Sequence, residues 1–188
     1  TFAIIGPGVM GRTIAYSLIN AGVSPERLTL AGPNADRLAE LALELSVGTT
    51  LDNAAAAQSA DVIIMAVKPQ RLSQAARVIR PALKETALVI SIVAGTSIAA
   101  LSQQLGTDRI VRAMPNTPAR IGMGITVWTC TAQVDETQKE TAAEVFRSMG
   151  EEVFVEDEVY LDMATALSGT GPAYVFLFME AMIDAGVH

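Results

Sequence analysis

Three glycines near the start of the chain have the spacing of a phosphate-binding turn. Gly6, Gly8 and Gly11 follow the apolar run 2–5 and precede the apolar-rich stretch 13–19. The first glycine permits a tight turn, the second lets backbone approach a pyrophosphate, and the third lets a helix pack on the preceding strand. The N-terminus of such a helix offers unpaired N–H groups to phosphates. The segment therefore predicts dinucleotide binding, with a ligand-free glycine turn as the alternative. The cofactor-binding residues predicted here are Gly6, Pro7, Gly8, Val9, Met10 and Gly11.

Two later segments follow apolar runs and carry residues that suit a cofactor. In open α/β sheets the ligand binds beyond the carboxyl ends of the strands. Lys68 follows the run 62–67, where a lysine is a poor core residue, so we expect a cation near the cofactor ribose or nicotinamide; a solvated strand end is the alternative. Small residues follow the run 88–93, and a flat ring can rest on them. These segments add Ala66, Val67, Lys68, Pro69, Ala94 and Gly95 to the predicted cofactor site.

The end of the second apolar run, 28–31, bears on the choice of cofactor. NAD-binding proteins usually carry an acid there for the ribose 2′-hydroxyl, whereas this chain has Gly32-Pro33-Asn34. Without that charge a 2′-phosphate is tolerated, and Asn34 and Arg37 could contact it. The pattern favours NADPH and leaves NADH possible. For Arg37, an exposed position on a helix is the alternative.

Two segments further along the chain suggest a substrate site. Two prolines stiffen the loop that contains Met114, Pro115 and Asn116. The segment Ser168, Gly169, Thr170 and Gly171 precedes Pro172, a residue that suits the first turn of a helix. We expect a helix N-terminus there, whose N–H groups would receive a carboxylate or phosphate; an ordinary Ser or Thr cap is the alternative.

Composition narrows the function classes. The 188 residues carry a net charge of −7 and no basic patch, so nucleic acid is not an expected partner. The single histidine, His188, is the last residue, which argues against a histidine triad or a histidine-rich metal site. The single cysteine, Cys130, suits a reducing compartment and a structural role. We expect a cytoplasmic protein with no signal peptide and no apolar run long enough to span a membrane.

The elements that would position these residues alternate between strand-like and helical runs, which predicts an α/β fold with a doubly wound, mostly parallel sheet. Predicted strands cover 2–5, 28–31, 62–67, 88–93, 110–113, 124–128 and 152–155, and predicted helices cover 36–45, 72–79, 98–105, 136–149, 160–167 and 172–187. The acids at 156–158 mark a boundary, so we expect a dinucleotide-binding domain at 1–156 and the start of a helical domain at 157–188. The last helix lacks the elements it would pack on, which suggests a fragment.

Four of these motifs together resemble the pyrroline-5-carboxylate reductase family. They are GPGVMG at 6–11, AVKPQ at 66–70, MPNTP at 114–118 and SGTGPAY at 168–174. The resemblance implies a Rossmann-type domain followed by an all-helical dimerisation domain. It also implies NAD(P)H-dependent reduction of 1-pyrroline-5-carboxylate to proline, in a homodimer or higher oligomer. Gly32 and Pro33 depart from the family, which often has Ser, Asn or Arg for the 2′-phosphate.

The resemblance also assigns roles to residues. It places Asn53 on the adenosine side of the cofactor, 66–69 beside the nicotinamide half, 114–116 at the reaction centre and 168–171 on the substrate carboxylate. A cyclic imine can arrive protonated, so no acid–base histidine is needed and orientation would dominate catalysis. We expect Lys68, Asn116 and Thr170 to be catalytic, with Thr170 or a bound water handling the proton of the ring nitrogen.

Two rival functions remain open at this stage. A β-hydroxyacid dehydrogenase would use a lysine from its helical domain, and this chain has none after Lys139. A non-catalytic dinucleotide-binding redox sensor would have no use for a rigid 114–118 loop or a carboxylate pocket.

Overall fold

One eight-stranded sheet organises the molecule. The computed structural model describes residues 1–187, so His188, predicted to end the helical domain, lies outside the described residues. The sheet order is β3-β2-β1-β4-β5-β6-β7-β8. All neighbouring strands are parallel except β6 and β7, which are antiparallel. The strands are β1 (Phe2–Ile5), β2 (Leu28–Ala31), β3 (Gly48–Thr50), β4 (Val62–Met65), β5 (Leu88–Ser91), β6 (Ile110–Met114), β7 (Gly124–Cys130) and β8 (Gly150–Phe154).

Helices cover both faces of the sheet. They are α1 (Val9–Asn20), α2 (Ala35–Leu45), α3 (Asn53–Ser59), α4 (Pro69–Ile79), α5 (Ile98–Leu105), α6 (Glu136–Arg147), α7 (Val159–Ala164) and α8 (Gly171–Val187). Polar side chains fix several helix starts, because they accept the first unpaired backbone N–H groups. Asn34, Asp52 and Ser97 cap α2, α3 and α5, and Asp135 forms a capping box with Gln138 at α6.

Two apolar layers sandwich the sheet. Alternate residues of the strands point to opposite layers: Ile4 and Ile64 belong to one, and Ile5 and Ile63 belong to the other. The central strands β1, β4 and β5 are buried along their whole length, as parallel strands covered on both faces are. The predicted α/β class and the mostly parallel sheet are therefore confirmed.

Several predicted bounds differ from the observed ones. The strands predicted at 62–67 and 88–93 end at Met65 and Ser91, and the helix predicted at 136–149 ends at Arg147. The last strand covers Gly150–Phe154 rather than 152–155. Beyond the two strands and the helix, apolar residues such as Val67, Val93 and Met149 still pack on the core, and composition does not distinguish them from residues within the element.

The C-terminal helices leave the sheet. Leu161 and Ala164 of α7 are buried. The residues Thr165–Gly169 form a π-helical turn (hereafter the π turn), which leads almost directly into α8. No residue of α8 is buried, although its sequence is strongly apolar.

Candidate functional site

A cavity of about 710 Å³ lies at the carboxyl edge of the parallel strands. It is bounded by the turn at 6–8, the start of α2, the segment 51–53, the end of β4 and one face of α4. The structure thus brings together the first predicted cofactor segment, Asn34, Asn53 and the residues 66–68, which are far apart in the sequence.

The glycine turn is shaped by close backbone contacts. Gly6 has φ +95°, and a Cβ there would lie 2.9 Å from the carbonyl of Ala66. A Cβ on Gly11 would overlap the carbonyl oxygen of Gly6. A Cβ on Gly8 would meet nothing within 4 Å. Gly6 and Gly11 therefore serve the fold, while the space beside Gly8 is open to a ligand.

The start of α1 supplies unpaired donors to this open space. The N–H of Arg12 is the first that the helix satisfies, and it donates to the carbonyl of Gly8 at 3.0 Å. The N–H groups of Val9, Met10 and Gly11 come before it and have no intrahelical acceptor. Three donors at the positive end of a helix dipole can hold a pyrophosphate.

The end of β2 explains why this chain lacks an acid there. A Cβ on Gly32 would lie 2.7 Å from Cδ of Pro7, so no side chain fits at that position. The Oδ1 of Asn34 accepts the N–H of Arg37 at 2.9 Å, and its amide nitrogen donates to no acceptor among residues 1–187, so that nitrogen is available to a ligand. Arg37 is exposed, and no carboxylate among residues 1–187 lies within 4 Å of its guanidinium. Arg37 thus offers a cation that a 2′-phosphate could meet at this end of the cavity.

Asn53 contributes an orphaned acceptor. Its Oδ1 is buried and has no hydrogen-bond partner within residues 1–187. The neighbouring Asp52 is committed to the backbone, since it accepts the N–H groups of Ala54 and Ala55. A buried carbonyl oxygen without a partner is costly, and a ligand hydroxyl or amine in the cavity would relieve that cost. The residues present therefore fit a bound dinucleotide.

The remaining cofactor residues extend the site across the sheet. Lys68 is the N-cap residue of α4 and is exposed, and no carboxylate of the described chain pairs with it. Ala94 and Gly95 are exposed just past β5 and lie outside the cavity. Strand spacing places β6 about 14 Å from β1, which is three intervals along the edge.

The loop after β6 is held by its own side chains. The Oδ1 of Asn116 accepts the N–H of Ile125 at 2.9 Å, and Pro115 is buried. Asn116 was predicted to be catalytic, but its side-chain oxygen holds the loop 116–125 together. The amide nitrogen of Asn116 donates to no acceptor in the described part of the chain, so it is available to a substrate.

The predicted start of the last helix is confirmed, since α8 begins at Gly171, but the residues before it form the π turn rather than an open glycine turn. The chain remains helical through this segment, and the N–H and hydroxyl of Thr170 both donate to the carbonyl of Thr165, at 2.9 and 2.7 Å. The hydroxyl of Ser168 donates to the carbonyl of Ala164 at 3.0 Å. These side-chain bonds sustain a wider turn where the glycines favour a break. Such π turns are frequent at functional sites.

The π turn nevertheless reaches the sheet edge. A Cβ on Gly169 would lie 2.9 Å from Cε of Met114. The two predicted substrate segments, 114–116 and 168–171, therefore meet beside the ends of the strands that form the nucleotide cavity. Met114 ends β6, which lies two strands beyond β4 at the same edge of the sheet as the cavity.

Comparison with known proteins identifies the family. Residues 1–95 match the family model "NADP oxidoreductase coenzyme F420-dependent", and residues 158–188 match "Pyrroline-5-carboxylate reductase dimerisation". The pyrroline-5-carboxylate reductase of Pseudomonas aeruginosa is 39% identical over 185 residues, which are 98% of this chain and 68% of that protein. The Escherichia coli enzyme is also 39% identical, over 97% of this chain and 68% of its own length. This chain belongs to the pyrroline-5-carboxylate reductase family.

Solved structures of pyrroline-5-carboxylate reductases have the same architecture. The Coxiella burnetii protein matches with a TM-score of 0.92 at 37% identity, over 98% of this chain and 69% of that one. The Plasmodium falciparum protein, solved with NADP bound, matches with a TM-score of 0.88 at 34% identity, over 100% and 69%. A prephenate dehydrogenase of Aquifex aeolicus, at 18% identity and a TM-score of 0.74, shows the fold alone.

The family also bears on the apolar C-terminal helix. Val159–Val187 is 29 residues long and is apolar enough, by length and composition, to cross a membrane. The expectation that no segment reaches such a length is therefore wrong. The same residues match the dimerisation model of the pyrroline-5-carboxylate reductases.

One part of the cavity wall was not predicted from the sequence. Arg71, Gln74, Ala75 and Val78 line the cavity from α4. Their spacing of three and four residues places them on one helix face. That periodicity was the available signal, and it pointed only to a helix until the position of α4 against the turn was known. Cys130 lies outside the site, and burial raises the pKa of its thiol, which fits a structural role.

Proposed function

We propose that this chain catalyses the NADPH-dependent reduction of 1-pyrroline-5-carboxylate to L-proline, with NADH as a possible donor. The observation that carries the proposal is the contact of Gly169 with Met114. This proximity supports the proposal, because it brings the segment that we expect to face the substrate to the sheet edge where the nucleotide cavity lies. Similarity to the reductases named above, over nearly the whole chain, supports the assignment.

The cofactor residues of the proposal follow the carboxyl edge of the sheet from β2 to β5. The N–H groups of Val9, Met10 and Gly11 would hold the pyrophosphate, beside Gly6, Pro7 and Gly8. Arg37 and the amide nitrogen of Asn34 would face the 2′-phosphate, and Oδ1 of Asn53 would accept a hydrogen bond from the adenosine. Residues 66–69, Ala94 and Gly95 would flank the nicotinamide half. When bound, the cofactor supplies a hydride.

The substrate residues of the proposal are Met114, Pro115, Asn116 and residues 168–171. A protonated cyclic imine carries an N–H, so it needs an acceptor beside its nitrogen. The hydroxyl of Thr170 donates its proton to the carbonyl of Thr165. The lone pairs of the hydroxyl oxygen of Thr170 therefore remain free to accept a hydrogen bond. Thr170 would thus orient the ring, and no proton transfer from the protein is required, because addition of hydride to the iminium carbon yields the neutral amine.

The exposed cation Lys68 is proposed to act at the cofactor side of the reaction centre. It stands at the end of β4 without a carboxylate partner among the described residues. An ammonium there would favour the anionic cofactor and position its ribose. Asn116 would contribute its amide nitrogen and the rigidity of its loop.

The domain organisation of the proposal is a dinucleotide-binding domain at 1–156 and the start of a helical domain at 157–188. We further propose a cytoplasmic homodimer or higher oligomer formed through the helical domain. The exposed apolar face of α8 and the match of 158–188 to a dimerisation model support that association.

One assay tests the function against its rivals. The protein at its full natural length is mixed with NADPH and 1-pyrroline-5-carboxylate, and the loss of NADPH absorbance is followed. In parallel, NADP⁺ and a 3-hydroxy acid are supplied. We expect turnover only in the first mixture. Turnover only in the second would indicate a β-hydroxyacid dehydrogenase, and NADPH binding without turnover in either would indicate a sensor.

A further inference from the structure

A buried cation lies beneath α7 and takes no part in the site described so far. Arg112 of β6 is only 5% exposed. Its guanidinium donates to Oε1 of Glu158 at 2.5 Å and to Oδ1 of Asp162 at 2.9 Å. The two carboxylates are four residues apart and lie on one face of the chain where it enters α7. The guanidinium of Arg112 therefore binds both carboxylates at once.

Glu158 also joins a third element. The same Oε1 accepts the N–H of Ile98, the first residue of α5, at 2.7 Å. We refer to Arg112, Glu158, Asp162 and the Ile98 N–H as the Arg112 cluster. It ties the centre of β6 to the starts of α5 and α7.

The position of the Arg112 cluster relates it to the substrate segment. Met114 is two residues beyond Arg112 on the same strand, so both side chains point to the same face, about 7 Å apart along β6. The chain leaves Asp162, passes through the π turn and returns to Met114 at Gly169. Within α7, only Leu161 and Ala164 bury apolar side chains.

We propose that Arg112 is a positioning residue for the substrate segment. By holding Glu158 and Asp162 together, it fixes where α7 begins and hence where the π turn meets Met114. This inference rests on the proposed function, in which the π turn faces the imino acid. A fork that reaches two carboxylates at once is a property of arginine, and the point charge of lysine does not reproduce it.

The test uses the protein at its full natural length and the variants Arg112→Lys and Glu158→Gln, with Arg109→Lys as the matched control. Arg109 precedes the same strand and bonds the carbonyl of Gln133 and the side chain of Gln138, away from α7. We expect Arg112→Lys to keep the fold and to lose about 10- to 100-fold in kcat/KM for the imino acid, as a small misplacement does. The Kd of NADPH should change by less than about threefold, because no residue of the nucleotide cavity is touched. Arg109→Lys should resemble the parent protein.

Hydrogen–deuterium exchange gives a readout that does not depend on turnover. Amides 165–171 should exchange faster in Arg112→Lys and Glu158→Gln, while those of α1 keep the parent rate. Parent-like kcat/KM and exchange in Arg112→Lys would overturn the proposal. Joint loss of thermal stability, NADPH affinity and activity would overturn it as well, because that pattern indicates general structural damage. A parent protein inactive on 1-pyrroline-5-carboxylate contradicts the proposed function alone, since exchange still decides whether Arg112 positions the segment.

Discussion

Substitutions in the glycine turn can separate effects on cofactor affinity from effects on the stability of the fold. Gly8 and Gly11 lie three residues apart, and each is replaced by alanine. At Gly8 the added methyl meets nothing within 4 Å, and φ is −74°, a value open to any residue. At Gly11 the methyl overlaps the carbonyl oxygen of Gly6, which is backbone and cannot rotate away.

The expected effects differ in kind. Gly11→Ala should cost about 3 kcal/mol of overpacking, less about 1 kcal/mol gained in helix propensity. The net loss of about 2 kcal/mol lowers Tm by about 4–8 °C in a chain of this size. Gly8→Ala should leave Tm within about 2 °C, because a smaller unfolded-state entropy and a weaker N-cap nearly cancel.

Cofactor affinity should respond in the opposite order. A methyl at Gly8 keeps the pyrophosphate away from the N–H groups of α1, and losing one charge-assisted hydrogen bond of about 2 kcal/mol raises the Kd of NADPH roughly 30-fold. Thermal melting and a fluorescence titration with NADPH measure the two quantities. Unchanged NADPH affinity in Gly8→Ala would refute the proposed pyrophosphate cradle, and a large fall in its Tm would refute the open space.

Three further predictions concern the substrate segment, cofactor choice and pH. Gly169→Ala should displace Met114 and raise KM for the imino acid about 5- to 10-fold, since a misplaced site lowers activity. Arg37→Gln should raise the Kd of NADPH about 10-fold and leave that of NADH unchanged, because one charge-assisted contact of about 1.5 kcal/mol to the 2′-phosphate is lost. Asp61→Asn should lower Tm near neutral pH, and the difference from the parent should vanish in acid, as melting across a pH series would show.

The sign of the pH prediction follows from the direction of the shift. Hydrogen bonding from Lys84 is the main cause that holds the pKa of Asp61 well below its usual range. A carboxyl with a depressed pKa in the folded state stabilises the protein above its unfolded pKa, about 3.9, and loses that contribution as pH falls through the folded value. A constant Tm difference at every pH would contradict the role of this charge.

The predictions for Gly169→Ala and Arg37→Gln are each controlled by measuring the affinity for a second ligand. If Gly169→Ala weakens NADPH binding as much as substrate binding, the division between the two segments is wrong. An equal loss of NADPH and NADH affinity in Arg37→Gln would indicate that Arg37 acts on a part common to both cofactors.

Much of the nucleotide half was predictable from the sequence, because local signals and global fold agree there. The apolar run Phe2–Ile5 and the glycines that follow predicted β1 and α1 correctly, and Ser97 with Gly106 marks both ends of α5. The short strand Gly48–Thr50 was missed because it is polar and only partly buried, so that pairing with β2 alone identifies it.

The substrate half was less predictable, since its structure depends on side-chain hydrogen bonds. Glycines at 169 and 171 signal a break, yet the hydroxyls of Ser168 and Thr170 keep the chain helical. The engagement of Asn116 by Ile125 depends on a chain reversal that spacing does not reveal. The Arg112 cluster joins residues up to 60 positions apart, and no periodicity encodes such a contact.

The reversed direction of β7 has an evolutionary consequence. Because β7 runs back along β6, residues 115–123 form a simple return of the chain at the rim of the site and need no helical crossover. The closure entropy of a flexible insertion into such a return is small, about 0.6 kcal/mol for each doubling of loop length. Insertions here could resize the rim for bulkier or smaller imino acids without re-threading a strand, so this return is a natural place for new substrate ranges to arise.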